Sequence, residues 1–392
     1  MSSVKQINQH LLPITARPDA IMVRGEGSWL FDDADRRYLD LIQGWAVNAL
    51  GHCPAEITSA LHKQGTTLIT PSPALHNAPQ LALAQRLTVL SGLAQVHFAN
   101  SGGEANEAAV KLARKWGQKH KGGAFEIITT HGAFHGRTLA MMAASGKPGW
   151  DQYFPPMPTG FPKVAFGDAQ AVADAIGDDT VAIMLEPIQG EAGVIMPPPG
   201  YLTALRALAD QHDLLLIFDE VQTGIGRTGT LFAAQHEDII PDIMTLGKGL
   251  GGGVPISAVL ATSRAASFEY GDQGGTYNGN PLMTAVALAV LDTVAEAAFL
   301  AHVRDVGSYL CEQLLSLGER HRIEEVRGRG LLCALRLTDE IGNEVRDLAF
   351  ERGLLINAPR ADTLRFMPSL RLSRAEVDEA VVILDECLTQ AA

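Results

Sequence analysis

Five short apolar runs along the chain end abruptly in polar or glycine-rich sequence. They are QVHFANSGG (95–103), FEIITTHG (125–132), VAIMLEPIQG (181–190), LLLIFDEVQTG (214–224) and DIMTLGKG (242–249). Continuous apolar runs of this length predict strands buried on both faces, as in a parallel sheet; a sheet with one wet face would alternate. Helical periodicities lie between them. Ala105, Ala108, Ala109, Leu112, Ala113 and Trp116 recur at helical spacing after Gly103, and GYLTALRALADQHD does the same before the fourth run. Alternating strands and helices predict an α/β fold, in which ligands bind beyond the carboxyl ends of the strands. The polar endings cluster there.

From about residue 290 the texture changes. A helical stretch leads to RGRGLLCALRL, then GLLINAPRADTLRFMPSLRLS, then a last helix from Arg374. Polar alternation in these strands predicts a smaller α+β domain with a half-exposed sheet. The expected organisation is an N-terminal segment (1–65) packing with that small domain, a large domain (66–290), and the small domain itself (291–392). AVALAVLDTVAEAAFLA comes nearest to a membrane span, but Asp292 and Glu296 interrupt it, so it reads as a helix of a soluble protein. The amino terminus, MSSVKQINQHLLPITARPDA, lacks the apolar core of a signal peptide, and the expected location is the cytoplasm.

Composition narrows the ligand. With 46% hydrophobic and 19% charged residues the chain is an ordinary globular sequence. Its net charge of -13 argues against a general affinity for nucleic acid or an anionic membrane, so an anionic ligand needs a local concentration of cations and N–H groups. The four cysteines (Cys53, Cys311, Cys333, Cys387) include no C-x-x-C pair and read as reduced, mostly buried thiols.

The candidate chemistry sits at the strand ends. Asp219 closes LLLIFDE, where a carboxylate can cap a helix, bind a metal or hold a protonated nitrogen on a cofactor. No further ligands at metal spacing accompany it. His131 and His135 in HGAFHG are four apart, but the flanking glycines argue against the helix that would place them on one metal, and no metal is expected. Lys248 follows another strand end within GKGLGGGVPIS. A loop lysine is one reading; the other is an amine whose pKa an apolar, glycine-lined pocket lowers, so that it condenses with an aldehyde. SGGEANEAA adds a helix opened by Gly102 and Gly103, where free N–H groups and the helix dipole favour a phosphate. Lys248 is followed by glycine, so no Walker motif is present. Arg227 in GIGRTG reads as structural. Lysine, aspartate and anion site together fit pyridoxal 5'-phosphate.

The ordered combination resembles the class III aminotransferases of the fold-type-I pyridoxal-phosphate enzymes, over nearly the whole chain. The stretches that carry the resemblance are FANSGGEANEAAVKLAR, AFHGRTL, EPIQGEAGV, LLLIFDEVQTGIGRTG, GKGLGGGVPIS and TYNGNPL, with VNALGH and RFMPSL favouring the acylornithine branch. The resemblance implies a large domain with a mostly parallel central sheet flanked by helices, plus a smaller α+β domain. It implies that Lys248 forms the Schiff base and Asp219 pairs with the pyridinium nitrogen. Val221 and Phe134 would pack on the two ring faces, and Gln222 would reach the phenolic oxygen. Gly102 and Gly103 would give N–H groups to the phosphate, with Thr276 completing that site in a neighbouring subunit of a homodimer. Arg137 and Arg365 would bind substrate carboxylates, and Glu191 would neutralise Arg365 when no carboxylate is there.

The implied activity moves the terminal amino group of N2-acetyl-L-ornithine to 2-oxoglutarate, a step of arginine synthesis. Other ω-amino donors (succinylornithine, ornithine, 4-aminobutyrate, an acyl-lysine-pathway intermediate) are the nearest alternatives. An aminomutase or a decarboxylase, and a binding protein without catalysis, follow. Three positions depart from the family's pattern. Gly103 stands where threonine is frequent, Gly275 (a substrate-contact position) where close relatives often have serine, and Trp45 where a smaller residue is usual near the substrate mouth.

Overall fold

The structure, a computed structural model, describes residues 10–391. Residues 1–9, which open the expected N-terminal segment and the stretch read for a targeting signal, lie outside them, as does Ala392. The first strands among the described residues are three antiparallel ones, β1 (Met22–Glu26), β2 (Trp29–Asp32) and β3 (Arg37–Asp40). The helices Ala55–Gly65 and Ala78–Ser91 follow. Asn77 caps the second of them by accepting from Gln80 N.

The central sheet takes in the five expected strands: β4 (Gln95–Ala99), β5 (Glu126–Thr130), β7 (Thr180–Leu185), β8 (Leu215–Asp219) and β9 (Ile243–Leu246). Two more join them, β6 (Lys163–Val164) and β10 (Ser257–Ala261), in the order β4-β10-β9-β8-β7-β5-β6. Only β10 runs against its neighbours, so the other six share one direction and their carboxyl ends share one edge. Every residue of β7 and β8 is buried, which is why their sequences do not alternate. The helix Gly102–His120 buries the predicted stripe from Ala105 to Trp116 against the sheet. Its start is fixed by a reciprocal cap: Ser101 Oγ accepts from Glu104 N at 3.3 Å, and Glu104 Oε2 from Asn100 N at 3.0 Å.

Beyond the sheet two expectations are corrected. AVALAVLDTVAEAAFLA is not one helix. It divides between Pro281–Val294 and Ala297–Ser316, which meet at a 71° bend, and no single described helix is long and apolar enough to cross a membrane. The C-terminal sheet, β11 (Ile323–Arg329), β12 (Leu332–Leu337), β15 (Thr363–Phe366) and β14 (Asn357–Arg360), is antiparallel in that order, but its middle is not half-exposed. β15 is buried throughout and β12 everywhere except Arg336; only the edges β11 and β14 keep exposed positions. The reason is cover on both faces. Leu335, Leu364 and Phe366 belong to the main core, whereas Leu332 and Ala334 pack with Ile188, Val194 and Met367 beneath the central sheet's loops. Leu354–Leu355 forms β13, which pairs in parallel with β3 and so joins the chain's first strands to its last third. The cysteines are free: Cys53 is exposed, and Cys311 and Cys333 come together with sulfurs 3.3 Å apart.

Candidate active site

The carboxyl edge of the sheet opens into a pocket of about 480 Å³. β4 leads into the Ser101–Gly103 helix start, β5 into the 134–138 loop, β7 into Glu186, β8 into Asp219, Val221 and Gln222, and β9 into Lys248, and all of these line it. Gly102 is obligatory here: a Cβ would fall 2.7 Å from Val221 Cγ1, so any side chain would drive the valine out of the pocket wall. Ser101 satisfies Glu104 N and Ala105 N, which leaves the N–H groups of Gly102 and Gly103 for a ligand.

Asp219 is buried under four donors. Its Oδ2 accepts from Asn106 Nδ2 at 2.7 Å and pairs with His135 Nδ1 at 2.8 Å; Oδ1 accepts from Val221 N at 3.0 Å and more weakly from Thr245 Oγ1 at 3.4 Å. Thr245 also donates to Asn106 Oδ1 at 2.7 Å, locking the amide's orientation. Lys248, at the unusual φ of 41°, opens part of its surface to the pocket and is otherwise enclosed. Burial pulls its pKa below the usual lysine value, against the attraction of Glu191. Glu186 accepts from Phe134 N at 2.9 Å and Gly190 N at 3.2 Å; burial and the nearby Asp219 push its carboxyl up to about 7.

Arg365 is fully buried on β15, opposite Ala334 and on its face, which turns it toward the pocket's floor. Its Nη1 donates to Gly190 O and Glu191 Oε1, both at 2.8 Å, and its Nε to Asn357 Oδ1 at 3.0 Å. Burial opposes ionisation of Glu191, but Arg365 and Lys248 outweigh it and bring the carboxyl down to about 2. Arg137 rests 4.4 Å above the Trp150 ring at the pocket's rim.

The sequence profile of the family Aminotransferase class-III matches residues 14–388. The chain belongs to the class III aminotransferases. A relative from Bordetella bronchiseptica, acetylornithine aminotransferase 2, is 54% identical over 379 residues, covering 96% of each chain. The solved structure of N-acetylornithine aminotransferase from Stenotrophomonas maltophilia superposes with a TM-score of 0.86 at 35% identity, covering 99% of each chain. Ornithine aminotransferase from Toxoplasma gondii gives a TM-score of 0.94 at 30% identity, covering 98% of this chain and 94% of that one. This class III aminotransferase is a pyridoxal-phosphate-dependent transaminase with the α/β fold expected from its sequence.

The pocket fits that cofactor on its own chemistry. It offers an amine whose pKa burial lowers toward the neutral, nucleophilic form, a fixed carboxylate for a ring nitrogen, and free N–H groups at a helix start for a phosphate. At this site three buried polar atoms also lack partners among the described residues: Gln222 Nε2, His135 Nε2 and Arg365 Nη2. Such orphans are costly unless a ligand satisfies them. No group of His, Cys, Asp or Glu able to hold a metal occurs among the described residues.

Of the residues predicted from sequence, Lys248, Asp219, Gly102, Gly103, Phe134, Val221, Gln222, Arg137 and Glu191 line this one pocket, and Arg365 adjoins it through Glu191 and Gln222. Thr276 and Gly275 do not line it. They sit exposed on a turn tied to the same chain by Asn100–Asn278 (2.9 Å) and Asn77–Gly279 (3.0 Å) contacts. The departures acquire reasons here. A Cβ on Gly103 would meet nothing nearer than 3.9 Å, so threonine would fit and its absence is not steric. On Gly275 it would lie 2.5 Å from Asn278 Oδ1, so serine would disturb the Asn100 contact. Trp45 is half-exposed, with its ring 5.7 Å from the Arg365 guanidinium. Sequence reasoning missed Asn106, Glu186 and Thr245, and weighed His135 only against a metal. Glu186 directly follows β7, much as Asp219 closes β8, so the same signal was available for it; Asn106 stood out as a polar residue on an apolar helical stripe.

Proposed function

We propose that the chain transfers the terminal amino group of N2-acetyl-L-ornithine to 2-oxoglutarate, giving N-acetylglutamate 5-semialdehyde and glutamate, as its acetylornithine aminotransferase relatives are named for doing. The observation that carries the reading is the buried Arg365–Glu191 pair. One pocket must take a donor whose carboxylate lies far from the reacting carbon, and glutamate, whose α-carboxylate lies beside it. Pyridoxal phosphate, when bound, supplies the carbonyl that accepts the amino group and the ring that acidifies the adjacent C–H. The chain does the rest. Lys248 Nζ anchors the cofactor and moves the proton, and Asp219, braced by Asn106 and His135, keeps the ring nitrogen protonated. Val221 and Phe134 hold the ring, Gln222 reaches its oxygen, and Gly102 and Gly103 hold the phosphate. Arg137 binds the distant carboxylate of either substrate. Arg365 binds the α-carboxylate, and Glu191 pairs with Arg365 when that carboxylate is absent, since an unpaired buried charge costs several kcal/mol.

Arg365→Ala is therefore expected to damage the glutamate half-reaction far more than the acetylornithine one. A charge-assisted contact is worth roughly 1.5–3 kcal/mol, or about ten- to more than a hundredfold. Single-turnover spectra with each donor measure the two losses; equal losses leave Arg365 a structural residue. Ornithine is the second reading, favoured by the close agreement of the fold with ornithine aminotransferase. A panel of amino donors assayed with 2-oxoglutarate separates the two.

The working unit in this proposal is a cytoplasmic homodimer acting on small molecules, with no nucleic-acid or membrane partner, as the net charge of -13 suggests. Thr276, exposed and outside the lining of its own pocket, would complete the phosphate site of a second copy. Mixing inactive Lys248→Ala with an inactive Thr276 variant should then restore activity as subunits exchange. An active monomer at assay concentration would refute the shared site.

A further inference from the structure

Lys147 lies in the turn SGKPGW, between the helix Leu139–Ala144 and the short turn at Trp150. It belongs to none of the roles assigned above. Its ammonium is 3.9 Å from Glu191 Oε2, the oxygen opposite the one that pairs with Arg365 at 2.8 Å. Glu191 thus presents one oxygen to each of two cations. The two differ in mobility. Arg365 is fully buried and pinned by Gly190 O and Asn357 Oδ1. Lys147 keeps 30% of its side chain exposed and otherwise rests near the Phe134 and Trp150 rings, at 5.1 and 5.4 Å. Arg137 occupies the same two rings, so like-charge repulsion biases Lys147 toward Glu191.

We infer that Lys147 is a positioning residue that receives Glu191 when the α-carboxylate of glutamate or 2-oxoglutarate takes Arg365. This rests on the two-substrate reading of Arg365 and Glu191 proposed above. The physical need is plain. The displaced carboxylate, only 20% exposed, would otherwise lose its partner inside the pocket. A rotation that closes 3.9 Å to a hydrogen bond gives it a second cation without moving the backbone. Lys147 thereby lowers the cost of opening Arg365, and does so for glutamate and 2-oxoglutarate but not for the acylornithine.

The test uses the holoenzyme and reads single-turnover half-reactions with glutamate and with N2-acetyl-L-ornithine. Lys147→Met should shift the ratio of the two specificities against glutamate by about tenfold, mostly in apparent affinity rather than in maximal rate. Lys147→Arg should restore most of the ratio. In a Glu191→Gln background, where no charge needs receiving, Lys147→Met should no longer move it. Equal losses in both half-reactions, an undiminished effect in the Glu191→Gln background, or no shift at all would overturn the role. A loss confined to acetylornithine would overturn it too, and would assign Lys147 to the donor's far carboxylate. Glu191→Gln alone separates the layers. If it leaves the ratio unchanged, the switch itself fails; if it moves the ratio toward glutamate while Lys147→Met does nothing, only the Lys147 role fails.

Discussion

Replacing Lys248 with alanine is expected to reduce transamination to background while the fold survives. The amine is the one pocket group that can both bond to an aldehyde and carry a proton between atoms, so its loss removes two functions at once. The fold should not suffer, because Lys248 stabilises little. Its amine makes no hydrogen bond among the described residues, and Glu191, Glu186 and Asp219 attract it only at a distance. Burial pulls its pKa down from the ordinary lysine value of 10.5, which makes the charged form a net cost to the native state. The sign of the pH dependence follows. A base depressed on folding destabilises fully below its folded pKa, and the penalty disappears as pH rises through 10.5. The cofactor-free alanine protein should therefore melt no lower than the cofactor-free parent near neutral pH, with any advantage shrinking as the solution is made alkaline. Purified parent should absorb in the visible and the variant should lose that band. Measurable turnover with an unchanged spectrum would remove Lys248 from the chemistry.

What could be read from the chain follows from what each residue signals by itself. β5, β7, β8 and β9 were visible because strands buried on both faces cannot alternate, and Asp219 and Lys248 because polar residues end such runs abruptly. β10 was not visible: SAVLA is short, small-sided and preceded by glycines, and nothing local marks it as the one reversed strand. The burial of Arg365 could not be read either. TLRF looks like an alternating strand with a wet face until Ile188 and Val194 arrive from another part of the chain to cover that face. The Asp219 network has the same character, since Asn106, His135 and Thr245 come from a helix, a loop and a strand. The assignments of Phe134, Gln222, Thr276 and Glu191 came from resemblance to the family rather than from pattern. Lys147 was hidden because its meaning lies in a contact with Glu191 that only the fold creates.

Asp219→Asn is expected to keep the cofactor and lose most of the activity. A neutral amide cannot stabilise a proton on the ring nitrogen, so the C–H bond next to the transferred nitrogen becomes harder to ionise. A loss of about a hundredfold or more, ~2.7 kcal/mol in the barrier, is the expected scale. The substitution also carries a structural cost that can be located. Both carboxylate oxygens are now acceptors, Oδ2 for Asn106 and His135, Oδ1 for Val221 N and Thr245. An asparagine must point its NH2 at one of these pairs. The side facing His135 is the tolerant one, because the imidazole can move its proton to the unpartnered Nε2 and accept at Nδ1. Asn106 has no such freedom, since Thr245 holds its oxygen, so one donor is left facing a donor at a cost of about 1–3 kcal/mol. The variant should accordingly melt lower than the parent but remain folded and coloured at assay temperature. Activity measured under those conditions, with cofactor occupancy read from the visible band, separates the two effects. A folded, cofactor-loaded variant with near-normal turnover would show Asp219 to be a structural carboxylate, held in place for the sake of Asn106 and His135 alone.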